Sequence, residues 1–409
     1  MKKILLILAI LILSEVVYGF VFQTYNDNYC WRPLNILRTD DRSLSENGAI
    51  RGIQKMIGSH RIYCDGGNYI TLAYDFPNDY FRGNLAWINR PLYSFLIFAF
   101  AFPLYLFSHS YVVTFIVAMV FNVVLAWLTA ALLYMVARRF FSHEIAFASA
   151  VLFSLSPLVR AWLTQPDVTI FTAFMWMLFL WLFIRYADAP SKKRLYGYSA
   201  VVGILFLGKL FFLMCIFAVV AAVYSKRYRE GAVFFAVHLV PVIIWVATVT
   251  RLWGLSYPNR EVTEFGAGIW IIYFLMHSPG IFLEKSLVLV PRFIESAMYA
   301  FMMLPLPLAV YGFMRTTIKR KYFYVFGVLG SLFTMVFVMG YSIPRYAFLL
   351  FPVVYPLAAL GLQRASERVN HYCPQLPSRL VWCSGFFIMV LLAGMDVVKF
   401  YRYMGFPLD

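Results

Sequence analysis

Long apolar runs, separated by short charged stretches, dominate the pattern of this chain. They fall at about 4–22, 91–107, 111–137, 145–158, 168–186, 195–208, 210–224, 232–250, 293–314, 322–340, 346–362 and 380–398. Several approach or exceed the roughly 20 residues that an α-helix needs to cross a bilayer. The pattern predicts an all-α polytopic membrane protein, a single transmembrane domain over 1–409 with no separate soluble unit, internal repeat or low-complexity linker.

Composition agrees. The chain is 62% hydrophobic and only 13% charged, whereas a soluble domain is about half apolar and about a quarter charged. A net charge of +16 would suit nucleic acid if it formed one folded basic face. Instead it is broken up among loops: Lys2/Lys3, Arg138/Arg139, Arg185 to Arg194, Lys226 to Arg229, Arg315 to Lys321 and Arg364 to Arg379 hold about half of the 35 lysines and arginines. That distribution follows the positive-inside rule, places all six clusters in the cytoplasm and excludes a nucleic-acid partner.

Parity then orders the helices. Between Lys3 and Arg138 the chain must cross an even number of times, yet three apolar runs lie there. The run 91–107 is short and holds Pro91 and Pro103, so it is expected to be re-entrant or interfacial. Residues 195–224 are basic at both ends and must go out and return, turning at "LGKL" around Lys209. Arms of about 15 residues reach about 22 Å at 1.5 Å per residue, short of a ~30 Å core. The sum is a bundle of about eleven spanning helices, with residues 23–110 as a large first outer loop and 251–292 as a second. The first run is expected to be an uncleaved signal anchor, because no small-x-small site follows it. Glu15 lies within that anchor and is expected to face protein or water.

Cys30 and Cys64 share the first outer loop, Cys215 and Cys383 lie in apolar runs, and Cys373 in a basic loop. No C-x-x-C or Cys/His metal spacing is present. A Cys30–Cys64 disulfide requires an oxidising compartment; two unpaired thiols fit the sequence equally well. "GILFLGKL" has the glycines and lysine of a P-loop but lacks the Ser/Thr and the preceding strand.

Charged residues expected on the outer face are the candidates for chemistry. Acids are Asp40 and Asp41 in "LRTDDRSL", Asp65 in "YCDGGNYITLAYDF", Asp75, Asp79, and Asp167 in "LTQPDVTIF". Cations are Arg90 before "PLY", Lys209, and Arg345 in "IPRYAFLLFPVVYPL". Each has a plainer reading. Asp167 after Pro166 suits a helix N-cap, "DGG" suits a turn, and the cations can snorkel to lipid headgroups.

Taken in order, these stretches resemble the GT-C superfamily of polyprenyl-phosphate-sugar-dependent glycosyltransferases. "DGGNYITLA" resembles the D-G-x-x-Y-x-x-x-A of bacterial members, "NRPLYSFL" their juxtamembrane helix, "SLSPLVRAWLTQPD" the stretch carrying a second outer acid, and "IPRYAFLLFPVVYPLAAL" their late P-R-Y helix. Asp65 lies far from the first helix, which leaves Asp40 and Asp41 as rivals for its role, and "PLYS" lacks a second proline. The resemblance implies a GT-C-like bundle and a sugar donor linked to an undecaprenyl-type polyprenyl phosphate. The acceptor would be a glycan or lipid of the cell envelope, such as a lipopolysaccharide or another polysaccharide. The enzyme would sit in the cytoplasmic (inner) membrane with its active site facing the periplasm. Asp65 (or Asp40/Asp41) would be the base and Asp167 a second acid. Arg345, Lys209 and Arg90 would bind the donor's lipid phosphate, and Tyr69 and Asp75 would line the sugar or acceptor pocket. No cofactor is required, although a divalent metal, Mg or Mn, could bridge acids and phosphate.

The chemistry is coherent with those residues. An acceptor hydroxyl must lose a proton as it attacks the anomeric carbon, and a carboxylate can take it. The leaving phosphate gains charge that a fixed cation stabilises. A glycolipid flippase or other transporter would place charges along a transverse path inside the helices, where Glu15 is nearly alone. An O-antigen polymerase would share the large outer loops, but the Arg-x10-Gly pattern associated with those enzymes is absent.

Overall fold

A computed structural model describes residues 4–11, 31–33, 61–63, 69–70, 72–74, 91–156, 159, 162–163, 168–208, 211–253, 269–301, 304–316, 321–339, 344–373 and 379–389, with single positions at 375 and 377. Nearly all of these are helical. The exception is an antiparallel ribbon of β1 (Trp31–Pro33) and β2 (Arg61–Tyr63), which pairs two parts of the expected first outer loop.

The helices are α1 (Pro91–Tyr105), α2 (Tyr111–Ala137), α3 (His143–Leu155), α4 (Val168–Asp188), α5 (Lys192–Phe206), α6 (Phe211–Tyr224) and α7 (Tyr228–Trp253). They continue as α8 (Ile269–His277), α9 (Pro279–Ala300), α10 (Pro305–Arg315), α11 (Lys321–Met339), α12 (Pro344–Ala347) and α13 (Phe351–Tyr372), with a single 3-10 turn, Phe348–Leu350, between the last two. Among the described residues, α2, α4, Tyr228–Thr248 of α7 and Phe348–Tyr372 are long and apolar enough to cross a membrane. Residues 91–105, 143–155 and 379–389 form shorter apolar helices.

Local chemistry fixes several helix ends. Ser110, Ser142 and Ser191 are N-caps whose hydroxyls accept from the backbone N–H of Val113, Ile145 and Arg194. Each satisfies a first-turn donor that the helix itself cannot pair. The apolar run 195–224 is divided into two helices, α5 of 15 residues and α6 of 14, with α5 packed against α7 and α6 against α11.

Two boundaries differ from expectation. The apolar run 293–314 is not one helix. Its first part continues α9, and α10 begins anew at Pro305. Proline has no N–H to donate and its ring collides with the preceding turn, so it opens helices rather than continuing them. α9 therefore runs across the expected end of the second outer loop at residue 292, and α8 with α9 makes much of that loop helical. The last long helix also runs about ten residues past the expected end at 362, through "QRASERVNHY" to Tyr372.

α2 packs against α3 and α4, α3 against α13, α6 against α11, and α10 lies along α13. The α10–α13 contact is a reciprocal glycine crossing. A Cβ on Gly312 would strike the Leu357 carbonyl, and one on Gly361 the Leu308 carbonyl. In a membrane, where lipid tails are as apolar as leucine, such close backbone approach supplies the dispersion contact that holds helices together. The core they enclose is strongly aromatic, with Trp176, Phe171, Phe179, Phe217, Phe348 and Phe351 fully buried.

Candidate functional site

Of the nine residues the sequence nominates, Tyr69 is described with its side chain, and Arg345 is placed by its backbone in α12. Asp40, Asp41, Asp65, Asp75, Arg90, Asp167 and Lys209 lie outside the described residues, as do Glu15, Cys30 and Cys64. What the fold does show is how the segments flanking them come together.

Tyr69, four residues after Asp65, is fully buried. Its ring stands edge-on to Tyr93 of α1 at 5.2 Å between centroids, and its carbonyl accepts from the Ser94 hydroxyl at 3.4 Å. Tyr69, from the "DGGNYITLA" stretch, is thereby docked onto the "NRPLYSFL" motif. The ring therefore packs against α1 and positions the segment that follows Asp65.

Tyr93 donates to Asn122 Oδ1 of α2 at 3.1 Å and lies 5.7 Å from Phe171, one turn into α4 and so close in sequence to Asp167. The Leu92 N–H, in the first turn of α1 just after Arg90, donates to the Leu207 carbonyl at the end of α5 at 3.3 Å. Gly208, next to Lys209, lies so close to the Phe171 ring and Met175 that a Cβ there would clash with both. The flanks of Asp65, Arg90, Asp167 and Lys209 are thus gathered around the first turns of α4. Farther along the same helix, the buried Trp176 indole donates to the Leu349 carbonyl at 3.1 Å, in the 3-10 turn that follows Arg345. α4 is the common post for these segments.

A second contact holds the 72–74 turn beside Asp75. The Tyr74 ring is sandwiched between His109 at 4.3 Å and Tyr111 at 3.9 Å, His109 Nε2 lies 3.3 Å from the Tyr74 carbonyl oxygen, and Tyr105 stands edge-on to His109 at 4.5 Å. Together with buried Ile70 against Phe115, this fixes the segment after the aspartate-glycine turn to the α1–α2 junction.

Asn122 carried a sequence signal that went unused: an amide within the long apolar run of α2 is costly in a membrane unless it is paired, and here it is fully buried and accepts from Tyr93 of α1. Phe171 and Gly208 gave no such signal, since each is ordinary in an apolar run. Among the described residues no group of three His, Cys, Asp or Glu side chains comes together to hold a metal.

Residues 89–253 match the family model described as dolichyl-phosphate-mannose-protein mannosyltransferase. The match takes in α1 to α7, roughly two fifths of the chain, and over that segment it bears out the resemblance to the lipid-phosphate-sugar glycosyltransferases. No curated protein matches. Among solved structures, the crystal structure of ArnT from Cupriavidus metallidurans in the apo state is 15% identical, covering 83% of this chain and 67% of that one at a TM-score of 0.48. The same protein bound to undecaprenyl phosphate gives 15% identity, 83% and 68% coverage and a TM-score of 0.49.

Proposed function

We propose that the chain is a glycosyltransferase that moves a sugar from a polyprenyl-phosphate donor to a cell-envelope glycan or lipid at the outer face of the cytoplasmic membrane. One observation carries the reading: the segments flanking Asp65, Arg90, Asp167 and Lys209 meet at the first turns of α4, inside the stretch that matches a lipid-phosphate mannosyltransferase family. Scattered snorkelling cations and turn-forming acids have no reason to share one helix end.

In this reading Asp65 takes the acceptor hydroxyl proton as that oxygen bonds to the anomeric carbon, and Asp40 and Asp41 are its rivals. The anomeric carbon–phosphate oxygen bond breaks, and polyprenyl phosphate leaves with the negative charge. Arg345, Lys209 and Arg90 stabilise that charge, and Asp167 is a second acid at the sugar. Asp75, the residue after Tyr74, and Tyr69 belong to the sugar or acceptor pocket in this reading. A divalent metal could join Asp65 and Asp167 to the phosphate, but no step above requires it.

The test uses purified protein, a polyprenyl-phosphate sugar and a candidate acceptor. Consumption of the lipid-sugar with transfer supports the reading; sugar-independent movement of lipid across the bilayer replaces it with a flippase. Asp65→Asn removes charge without changing shape and should cut transfer by about 10²- to 10⁴-fold, the usual contribution of a general base, with folded yield unchanged. Full activity in Asp65→Asn, with Asp40→Asn or Asp41→Asn dead, moves the base to that residue. Arg345→Ala should lose nearly all turnover, whereas Arg345→Lys should keep part of it, because lysine supplies the charge but not the planar fork. Unchanged donor binding and rate in Arg345→Ala would remove Arg345 from the phosphate site.

A further inference from the structure

We infer that Cys30 and Cys64 are joined by a disulfide that closes the first outer loop immediately before Asp65. The two cysteines lie outside the described residues, and the inference runs from their chain neighbours. β1 and β2 pair antiparallel with Pro33 opposite Arg61, Arg32 opposite Ile62 and Trp31 opposite Tyr63. Cys30 precedes Trp31 in the sequence and Cys64 follows Tyr63, so carrying the register on by one residue would set these two opposite each other. Facing Cα atoms in an antiparallel pair are about 4.5–5.5 Å apart, within the ~4.4–6.8 Å that a disulfide spans. Sequence alone left this pairing open, since any two cysteines on one loop could meet or miss. The register singles out these two.

Of the remaining cysteines, Cys373 and Cys383 are free and exposed, and Cys215 lies in the apolar helix α6. The bridge rests on the outer placement of residues 23–110 in the proposed function, because that side is oxidising. Two thiols give up two protons and two electrons through a mixed disulfide to an oxidised dithiol carrier, which leaves as its dithiol. The closed loop contains Asp40 and Asp41, and Asp65 is the next residue after Cys64. The bridge therefore ties one end of the candidate base's turn, while Tyr69 docked on Tyr93 ties the other.

Thiol counting tests this without any transfer assay. The full chain, made in a host with an oxidising periplasm, is denatured in SDS, alkylated with N-ethylmaleimide with or without prior reduction, and weighed. Of the five cysteines, three should react before reduction and all five after it. In Cys30→Ser, freeing Cys64 should raise the unreduced count to four. Five adducts on the unreduced native chain would overturn the inference, and so would two on unreduced Cys30→Ser, which would give Cys64 a different partner. Either failure leaves the transferase reading standing, and loss of transfer leaves the thiol count unchanged.

Discussion

Two spanning helices show opposite relations between composition and burial. In the stretch Phe348–Tyr372, 83% of the membrane-length window is buried within the protein, although it is the less apolar of the two. In Tyr228–Thr248 of α7, which is more apolar, only 6% is buried. In a soluble protein the greasier helix would be the inner one. Here the outer helix faces lipid and must be apolar on its exposed side, as Ile243 and Ile244 are. The inner one can afford Gly361, Ser366 and prolines, because protein surrounds it: the Leu349 carbonyl accepts from the Trp176 indole of α4, and the Ser366 hydroxyl donates to the Gln363 carbonyl of its own helix. Apolarity marks contact with the bilayer, and small or polar residues mark contact with protein.

Three substitutions would sharpen or break this contrast, from the largest effect to the smallest. Gly361→Leu on the buried side forces a side chain into the α10 backbone at Leu308 and should cost about 3 kcal/mol or more, as severe overpacking does. The check is loss of monodisperse protein on size exclusion in detergent. Tyr93→Phe keeps the edge-on ring contact with Tyr69 but removes the donor to Asn122. It should cost about 1 kcal/mol in a denaturant titration and lower transfer by loosening the Tyr69 seat. Ile243→Ala, on the exposed face of α7, should change stability by less than about 0.5 kcal/mol. If it costs as much as Tyr93→Phe, that face is covered by protein and the contrast fails.

Most helices were legible because apolar runs end at charged loops, and α2, α4, α7 and the division of 195–224 into α5 and α6 follow that pattern closely. The break before α10 was hidden because Phe301 to Leu304 is as apolar as its surroundings; hydropathy registers polarity, and a proline-driven restart changes none. The extension of α13 was hidden for the opposite reason. Gln363 to Tyr372 is polar and reads as a loop, yet a helix leaving the membrane can continue into water, where Gln363, Arg364 and Glu367 bond along its surface. For the site, motifs such as "DGGNY" announced themselves by odd composition. Their meeting on Phe171 and Gly208 did not, since close approach between an ordinary phenylalanine and an ordinary glycine is a property of packing.

The shortness of α5 and α6 carries an electrostatic consequence. Helices of 15 and 14 residues rise about 22 Å; if both start at the cytoplasmic boundary, as their basic flanks lead one to expect, Leu207 and Gly208 would lie below the plane where a ~30 Å hydrocarbon layer ends. A lipid phosphate that reaches Gly208 would then have to leave bulk solvent. Attraction between opposite charges at a given distance grows about fourfold as the effective dielectric constant falls from ~80 to ~20. Depth would thus amplify whatever cation stands there, and weaken the salt screening that the same pair would suffer at the surface.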